Sequence, residues 1–132
     1  MRRLLISALS GVLLAGPLQA QTFRAENGVI VTPVAGGFEI SSGGGQGARG
    51  MWCAAADYAL DVLGAGGFDR IYIAQGRRLA FGERGPVRFT MDPTGLTPRR
   101  VLVVGMSLSA PGSNLSVDHA LLFCQDARTI DR

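Results

Sequence analysis

Lysine is absent from this chain, and all thirteen basic residues are arginine. Histidine occurs once, as His119, tryptophan once, as Trp52, and cysteine twice, as Cys53 and Cys124. A structural zinc site draws on four His or Cys ligands, so one imidazole and two thiols exclude it and leave only scattered carboxylates for a harder cation. Any Ser–His–Asp or Cys–His pair must run through His119. Charged residues are only 17% of the chain and hydrophobic residues 47%, which argues for a packed core and against disorder. The net charge of +3 provides no broad basic surface, so a nucleic-acid partner is not expected. No apolar run reaches the roughly 20 residues of a membrane-spanning helix.

The first segment is read as an export signal. Met1-Arg2-Arg3 is a positive n-region, Leu4–Gly16 is an apolar stretch of 13 residues, and Pro17-Leu18-Gln19-Ala20 ends in a small residue before Gln21. Residues 1–20 are therefore assigned to a signal peptide and residues 21–132 to a single domain. The expected address is periplasmic or secreted, with no transmembrane segment after cleavage. Without Arg2 and Arg3, eleven Arg face ten Asp and Glu, a net of +1. An oxidising compartment and two cysteines leave one intramolecular pairing, Cys53 with Cys124.

Along the mature chain, Gly28–Val34 and Phe38–Ser41 flank Ala35-Gly36-Gly37 as a hairpin, with Pro33 marking an edge. Ser41–Gly50 (SSGGGQGARG) reads as a loop. Met51–Leu63 is the clearest helix, with Cys53, Ala56, Leu60 and Leu63 on one stripe and Asp57 and Asp61 on another. Arg70–Ala74 alternates, placing Ile71 and Ile73 together. Pro86–Met91 alternates too, with Val87, Phe89 and Met91 inward and Arg88 and Thr90 outward. Asp92-Pro93-Thr94-Gly95 suits a type I turn. Val101–Val104 predicts a central strand, and Leu115–Cys124 a final one. The expected fold is α+β: an antiparallel sheet of about five to six strands in the order ββαββββ, with one main helix on one face and one disulfide.

Three patterns bear on chemistry. Arg77, Arg78, Arg84, Arg99 and Arg100 lie on two loops that, if they meet, form an anionic-ligand patch. Ser107 follows the Val101–Val104 run, yet the segment Gly105-Met106-Ser107-Leu108-Ser109 lacks the second glycine of a nucleophile elbow. No metal or cofactor is expected: Asp57 and Asp61 lie one helical turn apart, as on a solvated face, and Gly43-Gly44-Gly45-Gln46-Gly47 lacks the lysine of a phosphate loop.

Two resemblances follow from these residues. Cys53 near a helix start, Gln46 upstream and Asp118-His119-Ala120-Leu121 resemble papain-like thiol hydrolases, in which a helix N-terminus activates the cysteine and the glutamine donates to the oxyanion. Here Trp52 precedes the cysteine instead of following it, and no third member is evident after His119. The segment Trp52-Cys53-Ala54-Ala55-Ala56-Asp57-Tyr58-Ala59, with a late cysteine, resembles a set of small exported proteins of Gram-negative bacteria. That second resemblance implies a periplasmic address and paired cysteines, and no reaction. The expectation is a non-enzymatic binding or envelope-associated module whose partner is an unknown protein or small molecule. The alternative is a thiol hydrolase using Cys53 and His119.

Overall fold

Alternating side chains explain the sheet, and the computed structural model describes it over residues 21–80 and 83–130. The segment assigned to export, residues 1–20, lies outside the described residues, as does the side chain of Arg84. In chain order the elements begin with β1 (Phe23–Arg24), β2 (Ile30–Val34), β3 (Gly37–Ile40), α1 (Gly47–Asp61) and β4 (Arg70–Gln75). A small hairpin of β5 (Leu79–Ala80) and β6 (Glu83–Arg84) precedes β7 (Val87–Thr90) and β8 (Arg99–Arg100). The chain ends with α2 (Val104–Ser107), β9 (Ser113–Ser116), α3 (Val117–Leu121) and α4 (Cys124–Ile130).

Seven strands form one sheet in the order β1-β2-β3-β7-β4-β9-β8. Every neighbouring pair is antiparallel except β8 with β9, which run parallel. The α+β class, the single main helix on the sheet and the disulfide follow the sequence; the parallel edge pair makes the sheet mixed. Val31, Phe38, Ile40, Val87, Phe89, Ile71 and Ile73 are fully buried beneath α1. The opposite face carries Arg70 and Tyr72 of β4 beside Ser116 and Asn114 of β9, and an ion pair of 2.9 Å between Arg88 and Glu39.

α1 is buried over ten consecutive residues, Gly50 to Ala59. The expected one-sided stripe is thus a helix covered all round, with the sheet on one side and α2, α3 and α4 also packed against it. Alanines at 54, 55, 56 and 59 permit this, because short side chains let neighbours approach from every direction. Cys53 bonds Cys124 with their Cα atoms 4.9 Å apart, tying α1 to the first residue of α4.

Five local expectations are corrected. Leu63 lies past the end of α1 and is exposed, and Leu60 is only half-buried. Thr90 faces away from α1 yet is buried, because its hydroxyl donates to the Gly36 carbonyl (2.9 Å) and accepts from the Asp92 amide (3.0 Å). Val101–Val104 is no central strand: Leu102 is 85% exposed, and the ladder residues are Arg99 and Arg100 at the sheet edge. Leu115–Cys124 is not one strand either. The chain leaves β9 at Ser116, whose side chain accepts from the His119 amide (3.2 Å) and caps α3. The turn after β7 also shifts by one residue: the Leu96 amide donates to the Pro93 carbonyl, so Gly95 is third in the turn at φ +79°, where a type II turn requires a glycine.

Candidate functional site

Three arginines and one histidine border the place where β4, β9 and β8 end the sheet. Arg70, Arg99, Arg100 and His119 line an open groove of about 460 Å³, together with Pro98 and Asn114. Arg70 opens β4 and points away from α1, because Ile71 and Ile73 take the buried side. His119 is the third residue of α3, reached through the Ser116 cap. Its ring packs 5.9 Å from Phe123, and Arg49 covers that phenyl ring at 4.7 Å.

Asn114 organises the groove. Its side-chain oxygen accepts from Arg70 Nε, and its Nδ2 donates to the carbonyls of Arg99 (3.1 Å) and Gly112 (3.0 Å). One buried carboxamide thus aims Arg70 and holds β8 against β9. Gly112 supports the same junction: its φ is +88°, and a Cβ there would strike the Thr97 carbonyl.

Among the described residues, ion pairs join Arg49 to Asp126, Arg88 to Glu39 and Arg128 to Glu26, and none involves Arg70, Arg99 or Arg100. The carboxylates nearest in sequence are turned to other work. Asp69 accepts from the Gly66 amide (2.7 Å), and the Asp118 carboxylate occupies the space beside the Cα of Gly67. The groove therefore presents unneutralised positive charge in a fork geometry suited to carboxylate or phosphate oxygens.

The residues singled out in the sequence separate into three places. Arg99 and Arg100 line the groove. Arg77 and Arg78 follow β4, and the Arg77 amide donates to the carbonyl of Leu108, outside the segment that carries Arg99 and Arg100 (2.7 Å). The Arg77 side chain reaches the Ser41 carbonyl (3.2 Å) and the Met51 sulfur (3.1 Å) instead of the groove. Cys53 is fully buried and carries a disulfide instead of a thiol, while His119 stands exposed on the groove. Ser107 is buried, accepting from Trp52 Nε1 (3.0 Å) and donating to the Val104 carbonyl, so its hydroxyl serves packing.

Sequence reasoning missed Arg70, and it named His119 only as a partner for Cys53 and not as a neighbour of the arginines. Arg70 was legible as the outward partner of Ile71, but its pairing with β9 was not. The place of His119 was hidden by treating a Ser116-capped helix as strand. A cluster of Glu26 with Cys53 and Cys124 brings metal-ligand types together, but both sulfurs are committed to the disulfide. Comparison of the chain with family models, with curated proteins and with solved structures returned no significant match, so the groove stands on its own geometry.

Proposed function

We propose that this chain is an exported, disulfide-stabilised binding module of the periplasm, non-enzymatic, whose arginine groove holds an anionic partner. The observation that carries the reading is that Arg70, Arg99, Arg100 and His119 line one open groove, with no ion pair to the three arginines among the described residues. Like charges gathered at one place repel one another, and an anion relieves that repulsion while accepting charge-assisted hydrogen bonds. The n-region, the Leu4–Gly16 stretch and the Trp52–Ala59 resemblance support export, and a buried disulfide suits an oxidising compartment. Disulfide bonding of Cys53 leaves a thiol hydrolase without its nucleophile.

Two measurements test the reading. Cell fractionation is expected to find the chain in the periplasm with Gln21 near its N-terminus; a cytoplasmic chain that retains Met1 or Arg2 overturns export. Capture from periplasmic extract is expected to be strong at low salt, weak at high salt, and reduced about tenfold for Arg99→Glu/Arg100→Glu. Equal capture by the two proteins at both salt levels overturns the anionic-partner reading.

A further inference from the structure

The arginine groove lies on an open sheet edge. β8 is the outermost strand of its sheet. The Arg99 amide donates to the Gly112 carbonyl (2.9 Å) and its carbonyl accepts from Asn114, so both backbone groups of Arg99 face β9. Alternation along a strand then turns the N–H and C=O of Arg100 outward. An edge with unpaired backbone groups is a template for another extended chain.

Beyond β8 the chain exposes three large apolar side chains, Leu102 at 85%, Val103 at 56% and Met106 at 71%. With Arg99 and Arg100 they line a second groove of about 300 Å³. Arg99, Arg100 and Val101 belong to both grooves, so one continuous surface runs from the guanidinium groups to the apolar shelf.

This pairing of features selects the occupant. A second copy docked edge to edge would set Arg99 and Arg100 against the same residues of its neighbour, and like charges directly opposite are unfavourable. A lipid surface would suit the arginines and the shelf, but an open strand edge does not enter hydrocarbon. A small anion would use the arginines and leave the shelf and the edge bare. We infer that the surface takes an extended acidic polypeptide segment, which adds as a strand to the Arg100 edge. Its carboxylates meet Arg70 and Arg100 on one face, and one apolar side chain enters the groove of Leu102, Val103 and Met106. The inference rests on the anionic-partner reading and adds the partner's chemical class and backbone geometry.

The test uses the full oxidised mature chain and four probes: an alternating Glu–Val peptide, the same peptide with proline at its central positions, inorganic phosphate, and phosphatidylglycerol vesicles. Strand addition predicts that the Glu–Val peptide binds and slows hydrogen exchange of the Arg100 amide at least tenfold. Binding should weaken about tenfold in Arg99→Glu/Arg100→Glu, in the exposed-site variant Met106→Asp, and for the proline peptide, with amide spectra confirming that both variants stay folded. If the peptide binds in a salt-sensitive manner but Arg100 exchange is unchanged and proline is tolerated, strand addition is wrong and the anionic-partner reading survives. Preference for phosphate or for the vesicles over the peptide likewise overturns strand addition and leaves the anionic-partner reading standing. Failure of every probe overturns both.

Discussion

Asn114 shows how much one side chain can organise. Replacing it with leucine keeps the approximate volume but leaves the carbonyls of Arg99 and Gly112 without that donor and Arg70 Nε without its acceptor. An unsatisfied buried polar group costs about 1–3 kcal/mol, so Asn114→Leu is expected to lower Tm by several degrees in a thermal melt. It should also speed hydrogen exchange at Arg99, because β8 loses its side-chain tie to β9. Asp57 makes a different case. The side chain is nine-tenths buried, and burial pushes its carboxyl above the usual carboxylate range. The charges of Asp61 and Glu26 add to that push, and the bond it accepts from the Glu26 amide (2.7 Å) opposes it. A raised folded-state pKa means the folded chain holds the proton more tightly than the unfolded chain. Stability from this group is therefore full below the ordinary value of 3.8 and falls as pH rises through the raised one. Asp57→Asn keeps an acceptor for Glu26 and removes the titration. Melts of variant and parent should show a Tm difference that moves in the variant's favour from pH 3.5 to pH 7; a constant difference would count against this account.

At the scale of elements, α1 and its disulfide dominate. The bond links residues 71 positions apart, for which chain entropy gives about 4 kcal/mol of stabilisation. Cys53→Ala is expected to lower Tm markedly, and Cys53→Ala/Cys124→Ala to be little worse than either single change. Additive losses would mean that the two side chains stabilise independently of their bond. Several elements were legible because period-2 alternation survives in them: Ile71 and Ile73, and Val87 and Phe89, are buried as their spacing requires. The helix Gly47–Asp61 was legible in its core, though not in its burial on all sides, since alanine is compatible with a one-sided or an enclosed helix alike. Val101–Val104 misled because a run of apolar residues reads the same whether it is central or left exposed beside an edge. Leu115–Cys124 misled because its apolar residues were read as one continuous strand, while the deciding signals were the Ser116 cap and Asp118 in the first turn of α3.

For the whole molecule, the groove was the least legible feature. Arg70, Arg99 and His119 are far apart in sequence and meet only because β4 and β8 both pair with β9. Local patterns gave Arg99 and Arg100 as candidates; strand order supplied their companions. Covalent topology adds a further consequence. Residues 53–124 form a closed ring through the disulfide, and Arg70, Arg99, Arg100, Asn114 and His119 all belong to it, while β1, β2 and β3 hang from it as a tail. Among the described residues of that ring, Asp92–Arg100 is an accessible stretch, almost all of it exposed. One peptide-bond cut there opens the ring without releasing a fragment, so the two sides of the groove stay joined through sulfur. In a compartment that contains proteases, losing half of the groove takes either two cuts or one cut and a reductant.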